Sequence, residues 1–290
     1  MTANRSAGLF PVFSLLAGAT LWGLVWYPMR LLEAGGLKGL WLVLVLYAAA
    51  LVCGLVWAGG RLRACAKVPG WSLLLMITAG WTNLAFVLAI VDGNVLRVLL
   101  LFYLSPLWAV LFSWPILDEQ PTGAGLASLV VAMGGALLML WNPTAGFPWP
   151  QDRTDWLALS SGVAFALSNV AVRKASALSI AAKSVATWLG VVIVCALMIV
   201  FIRPVAPVIE APTALSAVAL GVFGIFTMTA LVQYGVTHMP VQRSAVILLF
   251  ELIVGALSQQ LLTDELVTLR EWAGGALIVV GAWLAVRASR

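Results

Sequence analysis

The fold of this chain is decided by a stretch of sequence that occurs in two related forms. Residues 95–119 read VLRVLLLFYLSPLWAVLFSWPILDE, and residues 241–265 read VQRSAVILLFELIVGALSQQLLTDE. Each is an apolar run of about 20 residues, the length that crosses a bilayer as a helix, followed by an acidic pair. A shift of 146 residues superposes Arg97 on Arg243 and one acidic pair on the other. The stretch therefore predicts a membrane-spanning helix in each of two related halves.

Composition places the whole chain in a membrane. Of its 290 residues, 63% are hydrophobic and 9% are charged, and the mean hydropathy is +1.06. Soluble domains carry about 45–50% apolar and about 25% charged residues, so soluble enzymes, nucleic-acid modules and disordered chains are excluded. The net charge of +5 is scattered along the chain, which suits cytoplasmic loops. We expect no nucleic-acid partner.

Charge-poor runs predict ten transmembrane helices and no extramembrane domain. The runs do not alternate in polarity as the strands of a barrel would, so helices must satisfy the backbone in lipid. The first run also has the length of a signal peptide, but it shows no evident cleavage site, and we interpret it as a retained helix. The predicted spans are residues 9–32, 38–59, 69–91, 95–117, 121–141, 154–174, 181–202, 213–237, 241–263 and 267–287.

Loop charges and the repeat give the predicted topology. With the N-terminus inside, 10 of the 16 Lys and Arg residues lie on the inner side, which favours cytoplasmic N- and C-termini. The repeat register divides the spans into two units of five, residues 9–141 and 154–287. An odd number of spans turns the second unit upside down relative to the first, as in many secondary transporters. We predict an all-α polytopic protein of the cytoplasmic (inner) membrane with two inverted five-helix repeats.

Several motifs in both halves resemble the EamA domain of the drug/metabolite transporter superfamily. The first half carries the opening motif Ala19–Gly23 and the motif Phe102–Trp108, followed by an acidic pair and a Gly-rich helix. The second half carries Leu249–Glu251 and departs from the pattern at Leu252, where the domain usually has proline. The resemblance covers nearly the whole chain, and it extends more weakly to the YddG-type aromatic amino acid exporters. It implies ten helices, cytoplasmic termini and export of a small metabolite through a central cavity.

Glu251 is the strongest single candidate for a functional residue. It is the acidic residue farthest from both membrane interfaces. In the middle of a span a carboxylate costs about 2.5 kcal/mol or more unless it is paired, hydrated or protonated. Ser244, Gly255 and Ser258 fall on the same predicted helical stripe, which should therefore face a wet or protein interior. Glu251 can couple protons, bind a substrate amino group or only pack against a polar neighbour, and the sequence leaves these alternatives open.

Polar and aromatic residues in other spans complete the predicted cavity. The resemblance places spans one, three, four, six, eight and nine around it. Trp22 and Trp26 lie one helical turn apart and are predicted to form a wall with Tyr103, which suits flat or apolar substrates. The alternative for each residue is packing against lipid or a hydrogen bond between helices. The predicted lining consists of Trp22, Trp26, Asn83, Tyr103, Trp108, Asn169, Gln233, Tyr234 and Glu251.

Prolines and arginines within the spans give further predictions. Pro28 is predicted to end the first helix. Pro106 is predicted to be a hinge in the fourth, since a helix-interior proline removes a hydrogen bond and kinks the helix. Arg97 and Arg243 are predicted at opposite mouths of the cavity. They can attract a carboxylate or pair with an acid such as Asp92, and extension to the interface is the favoured interpretation for Arg243.

These observations predict a secondary transporter that exports small metabolites, with aromatic or large neutral amino acids favoured, by alternating access. We expect no enzyme, cofactor or metal, because the sequence has a single His, no catalytic grouping and no Walker motif. The expected partners are a small-molecule substrate and the lipid bilayer, and a monomer is the working expectation. The alternatives are an exporter of drugs or other amphipathic metabolites, a non-transporting membrane assembly protein and an intramembrane enzyme.

Overall fold

The computed structural model of the chain describes residues 9–141, 149–263 and 266–287. These residues form helices and contain no strand. Ten helical segments among them are long and apolar enough to cross a bilayer, which confirms the predicted all-α polytopic fold. The ten spans are Leu9–Ala34, Gly39–Lys67, Pro69–Ile90, Arg97–Leu117, Gly123–Leu140, Arg153–Lys174, Ile180–Ile202, Ala211–His238, Val241–Leu262 and Leu269–Arg287.

Several spans consist of more than one helix. A 3-10 segment, Gly59–Lys67, extends the second span, and a π-helical segment, Leu220–Ile225, lies within the eighth. The α-helices, labelled in chain order, are α1 Leu9–Leu24, α2 Trp26–Ala34, α3 Gly39–Ala58, α4 Pro69–Asp92, α5 Val95–Phe102, α6 Ser105–Leu117, α7 Gly123–Leu140, α8 Arg153–Lys174, α9 Ile180–Ile202, α10 Ala211–Ala219, α11 Phe226–His238, α12 Val241–Leu248, α13 Phe250–Leu262 and α14 Leu269–Arg287.

Two spans break one turn before a proline. α1 ends at Leu24, four residues before Pro28, and α5 ends at Phe102, four residues before Pro106. Proline has no N–H for the carbonyl four residues earlier, and its ring crowds that carbonyl, so the helix yields there. The prediction that Pro28 ends the first helix is wrong, because the chain bends before Pro28 and the span continues to Ala34.

The ninth span breaks without a proline. α12 ends and α13 begins on either side of Leu249, whose N–H bonds to the Val246 carbonyl three residues earlier, at 3.3 Å. A shift of 146 residues superposes α5 on α12 and the start of α7 on the start of α14. This recurrence agrees with a repeat, while the unit boundaries 9–141 and 154–287 and the inverted orientation stay predictions.

The packing places the broken fourth and ninth spans each against the opening span of the other half. α8 packs on α5 and α6, and α1 packs on α12 and α13. Elsewhere in the bundle, glycines allow two helices to approach closely, as small residues do in membrane proteins. A Cβ on Gly135 of α7 would lie against the Gly274 carbonyl of α14, so these two backbones touch. The fourth and ninth spans contact each other directly, with α6 against α12.

Candidate functional site

The breaks in the fourth and ninth spans lie next to each other. Tyr103 directly follows α5, and Glu251 lies in the first turn of α13. The Tyr103 hydroxyl donates a hydrogen bond to Oε1 of Glu251 with an oxygen–oxygen distance of 2.5 Å. The partners are 148 residues apart, so the bond joins the two halves of the chain. Hydrogen bonds this short are typical of a hydroxyl bound to a carboxylate.

A pocket lies beside the Tyr103–Glu251 bond. Its walls come from the break before α6, from α8, and from the junction of α12 and α13. The pocket is narrow, with room for about one water molecule, so a larger ligand requires the walls to separate. The lining residues are Tyr103, Ser105, Pro106, Ala109, Phe165, Asn169, Ala245, Leu248, Leu249 and Glu251.

The lining combines a carboxylate with hydroxyl, amide and aromatic groups. Glu251 supplies the carboxylate, and Lys, Arg and His do not occur among the lining residues. Asn169, also in the lining, is buried, with 6% of its surface exposed. The Phe102 ring lies beside the rings of Tyr103 and Phe165, at 5.3 and 5.5 Å between centroids. Such a site suits an ammonium group next to an apolar or aromatic body.

The pocket brings together part of the predicted cavity. Tyr103 of the fourth span, Asn169 of the sixth and Glu251 of the ninth all line it. The predicted hinge Pro106 lies in the same wall, after the break that its missing N–H explains. The functions predicted for these side chains stay predictions.

Two predicted polar residues bond to neighbouring groups outside this pocket. Asn83 of α4 accepts a hydrogen bond from the Tyr47 hydroxyl at 2.8 Å and donates one to the Ala79 carbonyl at 3.0 Å. Gln233 of α11 donates a hydrogen bond to Thr187 of α9 at 2.9 Å. These contacts follow the alternative interpretation, in which polar groups link helices within the bundle.

The predicted cavity residues Trp22, Trp26, Trp108 and Tyr234 each make a different contact. Trp22 packs on the apolar cluster formed around α3 and α9. The Trp26 ring donates a hydrogen bond to Ser258 of α13 at 2.9 Å. Trp108 stacks on an aromatic neighbour within α6, and Tyr234 stacks on one within α11. Neither tryptophan of the first span is among the residues that line the pocket beside Tyr103, and the wall stays a prediction.

The break at Leu249 also divides the stripe predicted around Glu251. Ser244 lies in α12, so it does not share one continuous helix with Glu251, and that part of the prediction is wrong. Ser258 lies on α13, and its hydroxyl lies 2.9 Å from the Gly255 carbonyl of the same helix and 3.3 Å from the Gly23 carbonyl of α1. The second contact places α13 against α1.

The two predicted mouth arginines are buried, each 8% exposed. Arg97 Nε lies 2.6 Å from Oδ2 of Asp155, in the first turn of α8, and the guanidinium also donates to the Trp149 carbonyl. Its acidic partner is therefore Asp155, and the predicted partner Asp92 is exposed at the end of α4. Arg243, the third residue of α12, is among the buried residues of that helix.

Two buried polar residues were not among the predicted site residues. Ser105 lines the pocket, and the repeat offered a signal for it, because a shift of 146 residues superposes Ser105 on Glu251. Lys183 in the first turn of α9 is completely buried, and its Nζ donates to the Val172 carbonyl at 2.7 Å and the Thr237 hydroxyl at 2.9 Å. The sequence offered no signal for these partners.

Comparisons with known proteins agree with this architecture. Residues 153–287 match the EamA-like transporter family, and the match does not distinguish the YddG type. A solved structure described as "Crystal structure of protein" is 18% identical, with a TM-score of 0.79 over 97% of this chain and 98% of that one. This likeness shows that the fold extends over both halves. A search of curated proteins found no match.

Proposed function

We propose that the chain, whose residues 153–287 form an EamA-like transporter domain, is an inner-membrane secondary transporter that exports amino acids by alternating access. The observation that carries this proposal is the pocket at the two helix breaks, where a carboxylate, an amide and aromatic rings meet between the halves. Secondary transporters bind their substrates near the midplane at broken helices between repeats.

The chemistry of the pocket supports aromatic or large neutral amino acids as substrates. The Glu251 carboxylate suits a substrate ammonium, and the Asn169 amide can donate to a substrate carboxylate. The rings of Phe165 and Tyr103 offer an apolar surface to the substrate side chain. An anionic substrate such as a sugar diphosphate lacks a counter-charge, because the lining contains no Lys or Arg.

Substrate entry must break the Tyr103–Glu251 hydrogen bond. That bond closes a pocket with room for about one water molecule, far less than an amino acid requires. A substrate ammonium can replace the Tyr103 hydroxyl as the partner of Glu251, so one hydrogen bond is exchanged for another. Alternatively, Glu251 takes up and releases a proton as the pocket opens and closes.

Transport by purified protein in liposomes tests the proposal and separates these two roles. Glu251→Gln keeps the size of the side chain and removes its charge. If Glu251 couples protons, the variant loses uphill transport of phenylalanine driven by a pH gradient and keeps phenylalanine exchange. If Glu251 binds the ammonium, both activities fall by about tenfold or more.

The matched control is Glu33→Gln, at an exposed position of α2, which should leave both activities unchanged. Unchanged uphill transport and exchange in the Glu251 variant would contradict the assignment of this residue to transport.

An exporter of drugs or other amphipathic cations is a second candidate, because the lining holds a carboxylate and aromatic rings but no cation. Asn169→Leu separates the candidates, since it removes the amide donor and leaves Glu251 in place. Amino acid transport should fall by about tenfold, whereas transport of tetraphenylphosphonium should not change. Absence of both activities in the folded wild-type protein would favour the non-transporting assembly alternative.

A further inference from the structure

Charged groups and helix ends meet at one end of the helical bundle. α6, α8 and α11 end there, and α12 begins there. Glu119 follows α6, and Arg173 lies in the last turn of α8. We call this region the Arg173 end, and the orientation predicted from loop charges places it on the cytoplasmic side.

Glu119 and Arg173 together hold the connection between α11 and α12. Oε1 of Glu119 lies 3.0 Å from Nε of Arg173. Oε2 of Glu119 accepts a hydrogen bond from the N–H of Val241, the first residue of α12, at 2.8 Å. Arg173 Nη1 donates to the carbonyl of Thr237, near the end of α11, at 2.6 Å. The ion pair therefore binds both sides of the short connection.

Each charge lies at the helix end that attracts it. The C-terminal carbonyls of α11 carry a partial negative charge, which the guanidinium of Arg173 complements. The first N–H groups of α12 carry a partial positive charge and need acceptors, and the carboxylate of Glu119 supplies one. The N-cap residue of α12, Pro240, provides no side-chain acceptor. The pair thus caps two helices as well as joining its own charges.

Packed side chains, most of them apolar, separate the Arg173 end from the pocket. On α12, 7 of 8 residues are buried, whereas on α13, beyond the pocket, 2 of 13 are buried. The pocket is therefore closed towards the Arg173 end by packing that depends on the position of α12. The buried residues of this packing are Ala109, Ala166, Val170, Val241 and Ala245.

We propose that Glu119 and Arg173 form a latch that closes this mouth of the transport path and releases the α11–α12 connection when the mouth opens. The proposal rests on the proposed transport function and adds the residues that hold the path closed. When the latch opens, the Glu119–Arg173 pair stays together, because α6 and α8 pack on each other. Its bonds to Val241 and Thr237 break, which frees α12 to leave α6 and α8.

Exposure distinguishes the latch from the ion pair at the other end of α8. The side chains of Arg173 and Glu119 are 31% and 20% exposed, whereas those of Arg97 and Asp155 are 9% and 2% exposed. Water can replace the hydrogen bonds of a partly exposed pair, so its release costs less than that of a dry pair. Breaking the drier pair leaves a buried charge, so that pair suits a permanent attachment.

Thiol labelling from each side of the membrane tests the latch without any substrate. The reporter is Ser105→Cys in the pocket, in a chain whose Cys53, Cys65 and Cys195 are replaced by alanine. In Glu119→Gln, labelling by a membrane-impermeant maleimide added at the Arg173 end should rise by about tenfold, because charge-assisted bonds are lost. Labelling from the opposite side should fall, since the population shifts towards the state open at the Arg173 end.

Two further variants separate the latch from a simple ion pair. The exchange Glu119→Arg with Arg173→Glu restores the attraction between the charges but places the wrong sign at each helix end, so labelling should stay high. Lys174→Gln is the matched control, because its Nζ donates to the Ile116 carbonyl of α6 at the same end. Labelling of this control should equal that of the wild type.

Three results would overturn the latch: wild-type labelling in Glu119→Gln, increased labelling from both sides, and wild-type labelling in the charge exchange. Increased labelling from both sides would mean that the bundle is loosened and that no mouth is gated. If labelling changes as expected but the protein transports no amino acid, the proposed function is refuted and the latch is supported. Amino acid transport without any change in labelling refutes the latch alone.

Discussion

Asp155→Asn removes the charge from the more deeply buried ion pair of α8 and leaves the size of the side chain unchanged. Oδ2 of Asp155 lies 2.6 Å from Nε of Arg97 and also accepts the N–H of Gln151 at 2.9 Å. Because both charged side chains are less than one tenth exposed, water cannot replace the lost carboxylate. The guanidinium of Arg97 is then left without its counter-charge in a dry site.

The expected loss of stability is large for a single conservative substitution. Removing one partner of a buried ion pair costs about 3–5 kcal/mol, mostly because the other charge remains buried. We therefore expect Asp155→Asn to lower the free energy of unfolding by about 3 kcal/mol or more. The double variant Arg97→Met with Asp155→Leu removes both charges and should recover most of this loss, since buried pairs are often replaced by apolar residues without net cost.

Reversible unfolding of the purified protein in mixed micelles, followed by tryptophan fluorescence, measures these differences. The matched control is Asp92→Asn, an exposed carboxylate at the same end of the bundle, which should change stability by no more than about 0.5 kcal/mol. A loss below about 1 kcal/mol for Asp155→Asn, or a double variant less stable than the single one, would refute the reasoning that this pair is a dry clamp.

Two further predictions concern helix packing and capping. Gly135→Ala should destabilise the fold by about 1–3 kcal/mol in the same unfolding assay, because its Cβ would meet the Gly274 backbone, whereas Gly134→Ala, with open space around its Cβ, should be neutral or stabilising by up to about 1 kcal/mol. Hydrogen bonds from Thr154 and from the first turn of α8 hold the pKa of the exposed Asp152 carboxyl below its usual value. Its contribution to stability is therefore present above the unfolded pKa and lost as pH falls through the folded pKa, so Asp152→Ala should be destabilising near pH 7 and equal to wild type in strong acid.

The sequence predicted the spans because hydropathy acts on each segment independently of the others. About 20 apolar residues must form a helix in lipid, wherever they lie in the bundle, so all ten spans were found. The breaks were only partly predictable. Pro106 indicated a break in the fourth span. The break at Leu249, by contrast, has no local cause in the sequence and forms where the two halves meet.

The candidate site was harder to predict, because a sequence states which groups are polar but not which neighbour satisfies them. Glu251 stood out, since a carboxylate in the middle of a span needs a partner, but the identity of that partner, Tyr103, depends on how the halves pack. Asn83 and Gln233 carry the same kind of signal and bond to adjacent helices, while Oε1 of Gln233 is buried without a hydrogen-bond partner among the described residues. Asp155 was hidden near the start of a span, where an acidic residue suits the helix dipole without further explanation.

The two ion pairs of α8 bear on the predicted hinge at Pro106. α8 is an unbroken helix of 22 residues, attached at one end to Arg97 of α5 and at the other to Glu119 after α6. The fourth span is therefore held at both ends against a continuous helix, and bending at Pro106 would have to break the buried pair, at about 3–5 kcal/mol. Bending at Leu249 moves α12 away from α6 and breaks the helix-end bonds of the latch and the packing of α12 on α6, rather than the buried pair. The contacts therefore favour a static kink at Pro106 and movement at Leu249, and the hinge at Pro106 stays a prediction.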